Sequence, residues 1–96
     1  MGLDQYFYVI HSSEREYLHH FRKQHKLEDF MCSLQGGSEE DQFGGIIFEL
    51  DLYTLECLEE KKRLLVDVEE YDNFTQSLME CRLKLKTYRV FYASSW

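Results

Sequence analysis

The 96-residue sequence contains no proline and no apolar run near the roughly 20 residues that are needed to cross a bilayer. Its start, Met-Gly-Leu-Asp-Gln-Tyr, has neither a basic region nor an apolar segment, so we expect no secretory signal. A myristoylation signal at Gly2 would need Ser or Thr where Tyr6 stands. These absences predict a cytosolic protein that does not bind membranes.

Cysteine is scarce and odd in number. Of Cys32, Cys57 and Cys81, at least one cannot pair within the chain. No Cys-x-x-Cys pair suggests a zinc or redox motif. Each cysteine lies beside apolar neighbours in a segment with a helical pattern, so we interpret all three as small buried side chains in a reducing compartment.

Motifs of catalysis and cofactor binding are also missing. The chain has no Gly-x-Ser-x-Gly, Gly-x-x-x-x-Gly-Lys or Gly-x-Gly-x-x-Gly sequence. Its four histidines include no His-x-x-x-His pair, and the adjacent His19 and His20 would diverge by about 100° on a helix. The others are His11 and His25. We therefore predict no enzyme, no metal and no cofactor, although an acid–base site assembled from distant positions stays open.

The composition predicts a folded chain. It is 44% hydrophobic and 16% aromatic, which is too apolar for a disordered segment that cannot offset its ordering entropy. At this length one core is normal, so residues 1–96 are predicted to form a single domain.

Three strands are predicted from β-branched and aromatic runs, at Gln5–His11, Ile46–Leu50 and Thr87–Ser94. The near-continuous apolar run of the second suits a central strand. Residues 66–71 are ambiguous between a loop and a short strand, and residues 38–45 are predicted to form a polar loop.

Four helical segments are predicted around these strands, although the second could also continue the first. Ser13 and Glu16 match a capping box that would open the first, and either Asp51 or Thr54 would begin the third. Asp72 is predicted to cap the last. Gly36 and Gly37 would end the second. The apolar positions are Tyr17, Leu18 and Phe21 in the first helix, Leu27, Phe30, Met31 and Leu34 in the second, Leu55, Leu58 and Leu65 in the third, and Phe74, Leu78, Cys81 and Leu85 in the last.

The predicted order is therefore β-α-α-β-α-(β)-α-β. An α+β fold with a small three- or four-stranded, mainly antiparallel sheet and helices packed on one face is the simplest way to bury these stripes.

Charge is unevenly distributed. Residues 39–72 hold twelve acids and three bases, whereas residues 73–96 carry a net charge of +3 and the whole chain −7. An acidic surface repels nucleic acid and attracts basic proteins, so we predict a basic partner protein and no direct nucleic-acid binding. Simple solubility is the alternative. The predicted acidic surface consists of Glu39, Glu40, Asp41, Glu56, Glu59, Glu60, Asp67, Glu69 and Glu70.

A second candidate surface combines cations with aromatic rings. Arg22 and Lys23 follow Phe21, and the segment from Tyr88 to Trp96 is rich in aromatic residues. Such residues hold an anionic small molecule by stacking and charge. Alternatively, Trp96 closes the edge of the core.

Three segments together resemble a family of short, uncharacterised bacteriophage proteins. They are Met-Gly-Leu-Asp-Gln-Tyr at the start, Phe-Arg-Lys followed by Leu27, Phe30 and Met31, and Tyr-Ala-Ser-Ser-Trp at the end. Phe21 and Phe30 stand where the family often has Trp, and the end carries one Trp rather than two. The resemblance implies a phage origin and a place in the host bacterial cytosol, and it implies no reaction.

The matched polar and aromatic positions would converge if the first and last strands were neighbours. They would then bind a ligand or lock the fold, for example through an ion pair of Asp4 with Arg22. The matched positions are Asp4, Tyr6, Arg22, Lys23, Tyr92, Ser94 and Trp96.

The leading functional hypothesis is a non-enzymatic phage protein that inhibits a host defence or nucleic-acid-processing complex, of the anti-CRISPR or another anti-defence type, through its acidic surface. This rests on association with other small phage proteins. The alternatives are a binder that sequesters a nucleotide-like signal at the basic and aromatic positions, and a structural or regulatory phage protein.

Overall fold

Four strands and three α-helices make up the part of the chain that the computed structural model describes, residues 2–35 and 45–95. A short 3₁₀ helix, Val68–Glu70, separates the last two helices. The strands are β1 (Asp4–His11), β2 (Glu14–Arg22), β3 (Ile47–Glu49) and β4 (Val90–Ser95), and the helices are α1 (His25–Gln35), α2 (Leu52–Leu65) and α3 (Tyr71–Lys84). None of these helices has the length and apolar character that a membrane span requires.

The strands form one antiparallel sheet in the order β2-β1-β4-β3, with the three helices packed against it. The predicted α+β class is therefore confirmed. The first and last strands are neighbours, since Asp4 is opposite Ser95 and Val9 is opposite Val90. The predicted central position of the second strand is wrong, because β3 lies at the edge of the described sheet and pairs there with β4. Ile46 and Leu50, which flank β3, are nevertheless buried, which explains the apolar run.

The first predicted helix is also wrong, because the segment after Ser13 is strand β2. Ser12 and Ser13 have φ of 44° and 77°, and His11 is opposite Glu14, so they form a two-residue hairpin turn. Turns with positive φ at both residues match the twist of the strands that they join. The register shifts between Phe7 and Tyr8, which leaves Leu18 without an opposite residue. Pairing with β1 therefore overrides the local capping pattern.

The other helical stripes are confirmed. Leu27 and Met31 of α1 are buried, as are the predicted leucines of α2 and three of the four apolar positions of α3. Asp51 caps α2, because its Oδ1 accepts a hydrogen bond from Thr54 N over 2.7 Å. The predicted ends of the second helix at Gly36 and Gly37, and most of the polar loop, lie outside the described residues.

Three finer predictions need correction. Asp72 does not cap α3: the helix begins at Tyr71, and Asp72 lies within its first turn. The segment 66–71, which the sequence left ambiguous between a loop and a short strand, contains the 3₁₀ helix Val68–Glu70 and no strand, and Tyr71 already belongs to α3. The last strand begins at Val90, because the backbone N–H of Tyr88 still bonds to Lys84 O beyond the end of α3. No disulfide joins the three cysteines, and the prediction that all three are buried holds only for Cys81, because Cys32 and Cys57 are half-buried.

The two faces of the sheet differ. On the helix side, Phe7, Val9 and Tyr92 join the main core with residues from all three helices. On the other side, Tyr8, Phe91 and Ala93 form a small cluster of strand residues alone. Arginines cover this cluster: Arg15 lies 4.8 Å above the Tyr8 ring and Arg89 lies 5.2 Å above the Phe91 ring. We call this second side the open face.

Candidate functional site

Three residues of the predicted acidic surface lie on α2. Glu56, Glu59 and Glu60 are all exposed there. Glu59 pairs with Lys62, whose Nζ lies 2.6 Å from Glu59 Oε1, and this hydrogen bond raises the pKa of Lys62. Lys62 also lies over the Tyr71 ring. Glu56 and Glu60 form no ion pair within residues 2–35 and 45–95, so they present uncompensated charge.

The remaining described residues of this surface follow α2 and have mixed roles. Asp67 links this turn to the start of α1: its backbone N–H donates to Gln24 Oε1 over 2.9 Å, and Gln24 Nε2 donates weakly to its Oδ2 over 3.4 Å. Glu69 is exposed and Glu70 is half-buried before α3. Glu39, Glu40 and Asp41 lie outside the described residues. The described part of the predicted acidic surface therefore consists of Glu56, Glu59, Glu60, Asp67, Glu69 and Glu70, on α2 and in the segment that follows it.

The structure does not bring the basic and aromatic positions together as one site. Asp4, Tyr6 and Arg22 are on the open face, where Asp4 Oδ1 lies 3.4 Å from Arg22 Nε. The predicted Asp4–Arg22 pair is thus present. Asp4 Oδ1 also accepts a hydrogen bond from His20 Nε2 over 3.0 Å, and Tyr6 stacks on the His20 ring at 4.7 Å.

Tyr92 and Ser94 are on the opposite side of the sheet, in the core. Ala93, between them in sequence, is opposite Tyr6, and alternate residues of a strand point to opposite faces. Lys23 follows β2 at the corner that leads into α1, with φ of 59°. Trp96 lies outside the described residues. The six described positions are therefore spread over two faces and a corner.

Tyr92 and Ser94 belong to a buried polar network that the sequence analysis did not predict. The Tyr92 hydroxyl donates to Glu28 Oε1 over 2.7 Å, and Ser94 Oγ donates to Glu28 Oε2 over 2.8 Å. Gln5 Nε2 donates to the Tyr92 hydroxyl oxygen over 2.8 Å and to Gln24 O over 2.9 Å. All five side chains are at most 6% exposed. The network joins β1, β4 and the start of α1.

Local sequence signals for this network exist but are weak. Gln5 precedes Phe7 and Val9 at alternate positions, which places it on the inward face of β1. Gln24, Glu28 and Met31 share one face of α1 by their spacing. Polar residues on an apolar face indicate a buried network only when their partners are known. The sequence does not identify the partner of Glu28, because Tyr92 is 64 residues away from it.

The network is suited to holding the fold rather than to catalysis. Burial raises the pKa of Tyr92, and the negative charge of Glu28 raises it further. The phenol therefore stays protonated and acts as a donor. Close packing adds rigidity, since a Cβ on Gly45 would overlap the Ser94 carbonyl. Buried polar groups that are fully bonded in this way specify one arrangement of a core.

Nucleophiles and metal ligands do not assemble elsewhere in the described chain. Burial raises the pKa of the Cys81 thiol to about 12, so the reactive thiolate is suppressed. Three histidines each contact a single carboxylate at separate places, in the pairs His11–Glu16, His19–Glu80 and His20–Asp4. Within residues 2–35 and 45–95, no group of three or more such side chains could hold a metal ion.

Comparison with known proteins adds no relative to this picture. No protein-family model, curated protein or solved structure matches this chain. The relation to short bacteriophage proteins therefore stays a prediction. Function has to be argued from the surfaces themselves.

Proposed function

We propose that this chain is a non-enzymatic binding protein that holds a basic partner protein against the acidic surface of α2 and the turn that follows it. The observation that carries the proposal is the exposed, unpaired charge of Glu56 and Glu60 on one helix. Like charges four residues apart on a helix repel each other. Cations of a partner would relieve that repulsion.

The basic residues of α2 do not neutralise these two carboxylates. Residues 51–72 contain eight acids and three bases. Lys61 lies over the Phe30 ring, while Lys62 and Arg63 each lie 5.3 Å from the centre of the Tyr71 ring. Because all three cations are directed to aromatic rings or to Glu59, the negative potential of Glu56 and Glu60 remains available for association.

A partner with a nucleic-acid channel fits this chemistry, since such a channel carries positive charge spaced for phosphates. In this proposal the chain is a phage inhibitor of a host defence or nucleic-acid-processing complex, and its carboxylates occupy the channel. Electrostatic complementarity of this kind increases association rates by about 10- to 1,000-fold, and the increase falls with ionic strength.

The test compares two variants with the same change of net charge. Glu56→Gln with Glu60→Gln removes the unpaired charge of α2, while Glu14→Gln with Asp29→Asn removes two exposed charges elsewhere. Partners are first retained from nuclease-treated bacterial lysate and purified. Their association rate constants are then measured at low and at physiological salt.

We expect the α2 variant to associate at least tenfold more slowly at low salt, because steering depends on local charge. The control variant should associate at the rate of the parent chain. Equal slowing of both variants, or rates that do not respond to salt, would contradict the proposal. So would a lysate from which no basic protein is retained.

The small-molecule alternative is less favoured, because its described residues on the sheet lie on opposite faces of it. Of the described members of that set, Lys23 lines a cleft at the start of α1, and most residues of this cleft are outside the predicted set.

A further inference from the structure

A surface groove lies between the first half of α2 and the second half of α3. It consists of two cavities, of about 710 Å³ and about 290 Å³, and Arg82 lines both. The two helices are antiparallel, because Lys62 near the end of α2 lies over the ring of Tyr71 at the start of α3. The apolar residues that line the groove are Leu50, Leu52, Leu55, Leu78, Met79 and Leu85.

Three large apolar side chains at this groove are exposed to solvent. Leu52 is 55% exposed, Met79 is 61% exposed and Leu83 is 63% exposed. Met79 and Leu83 are four residues apart, so they share one face of α3, and Leu52 lines the groove from the α2 side. Apolar side chains that are grouped in this way, with polar residues around them, are typical of a surface that binds another protein.

The two rims of the groove carry opposite charges. On the α2 rim, Glu56 and Glu59 follow Leu52 at helical spacing, so the three residues share one face. On the α3 rim, Arg82 and Lys86 line the groove. Within residues 2–35 and 45–95, Glu56, Arg82 and Lys86 form no ion pair. Each rim is therefore complementary in charge to the opposite rim of a second molecule.

We propose that a second copy of this chain covers the groove in a two-fold symmetric dimer. Such dimers use the same surface on both subunits. If the two-fold axis is parallel to the helices, α2 of each copy lies over α3 of the other, and Glu56 of one copy faces Arg82 and Lys86 of the other. If the axis runs across the helices, α2 lies over α2 and like charges meet. Charge complementarity favours the first arrangement.

The size of this surface predicts a weak dimer. Both helices have 14 residues, which gives a length of about 21 Å, and two packed helices are about 20 Å wide. The outline of the pair is then about 400 Å² on each copy, below the roughly 800 Å² per partner of a stable complex. The inference does not depend on the proposed function. Because Glu56 belongs to both surfaces, a second copy and a basic partner would exclude each other on α2.

The test is analytical ultracentrifugation of the purified chain at low salt, from about 1 µM to about 1 mM, because weak interfaces dissociate in this range. We expect the average mass to rise with concentration towards that of a dimer. Leu83→Asp should raise the dissociation constant of the dimer at least tenfold. Leu64→Asp is the matched control, since Leu64 is 69% exposed and lies at the other end of α2, and it should change this constant less than twofold.

A charge swap tests the pairing of α2 with α3. Glu56→Arg and Arg82→Glu should each raise the dissociation constant at least tenfold, because like charges then meet between the copies. The double variant should return it to within about threefold of the parent value, and circular dichroism checks that each variant is folded.

Three results would overturn the proposal. A chain that stays monomeric at every concentration would leave the groove to a different protein. Dimers that Leu83→Asp does not weaken would place the interface elsewhere, and a double variant no better than the single ones would contradict the pairing of the helices. Because the assay contains no other protein, its outcome does not depend on whether the chain binds a basic partner.

Discussion

Tyr92→Phe removes one oxygen atom from the centre of the buried polar network, and its effect can be worked out from the contacts. The hydroxyl donates to Glu28 Oε1 and accepts from Gln5 Nε2. A hydrogen bond to a charged group contributes about 1.5–3 kcal/mol and a neutral one about 0.5–1.5 kcal/mol. Gln5 keeps its bond to Gln24 O, so the loss of its neutral hydrogen bond to Tyr92 should cost about 0.5 kcal/mol, the low end of that range. We expect a total loss of about 3 kcal/mol.

That loss is large for a chain of this size, whose free energy of unfolding is expected to be about 5–15 kcal/mol. For a domain of about 60–100 residues, each 1 kcal/mol lowers Tm by about 4–8 °C. The variant should therefore unfold at a temperature about 12–24 °C lower. Urea unfolding followed by circular dichroism gives the free energy, and calorimetry gives Tm.

Tyr8→Phe is the matched control. Tyr8 is equally buried, but it lies on the open face and its hydroxyl makes no hydrogen bond with a described residue. Its loss should change stability little. A double-mutant cycle of Tyr92→Phe with Glu28→Gln should give a coupling energy of about 0.5–3 kcal/mol, as residues in one network do. If Tyr92→Phe destabilised no more than Tyr8→Phe, the network would not stabilise the fold as we argue.

The remaining predictions concern pH, helix capping and the hairpin. Because burial raises the pKa of Cys81 from 9.0 to about 12, only the unfolded chain loses this proton between these values. The contribution of this thiol to the free energy of unfolding is therefore complete below pH 9, and it falls by up to about 1.4 kcal/mol per pH unit as the pH rises from 9 to 12. Urea unfolding at a series of pH values should show a smaller decline of that free energy for Cys81→Ser. Asp51→Ala should lower the free energy of unfolding by about 1 kcal/mol, because it removes the α2 cap. Asp72→Ala should lower it less. Equal losses of Tm in thermal unfolding would contradict the assignment of the cap to Asp51. Ser12→Asn with Ser13→Gly should stabilise the hairpin by about 1 kcal/mol, since Asn and Gly adopt positive φ angles more readily than Ser. If urea unfolding showed a lower free energy of unfolding instead, the helix that the capping pattern indicates would be favoured.

The helices could be predicted because their signals are local. Leu55 and Leu58 lie on one face through the helical period alone, and Asp51 reaches the backbone of Thr54 three residues ahead. The same holds for β1, whose alternating aromatic and β-branched residues fit a pleated strand regardless of its neighbours. Such patterns depend on residues within a few positions, so the linear order of the chain contains them.

Where the local pattern did not determine the structure, pairing between strands determined it. The capping residues of the segment after Ser13 favour a helix, but the free edge of β1 offers a ladder of backbone hydrogen bonds that a strand can use. Whether the strand at Ile46–Leu50 is central or at an edge also depends on whether another strand pairs with its outer side. In the described sheet, no strand lies there. Neither outcome can be read from the segment itself.

The buried polar network and the cleft beside Lys23 both depend on contacts between distant residues. Glu28 meets Tyr92 across 64 positions, and Lys23 lines one cleft with Arg63 only because α2 ends beside the start of α1. Composition and spacing reveal the amounts of charge and apolar surface, along with the elements that carry them. Which carboxylate is buried beside a phenol and which stays in water follows from the order of the strands and the packing of helices on one face, because only these bring remote side chains within hydrogen-bonding distance.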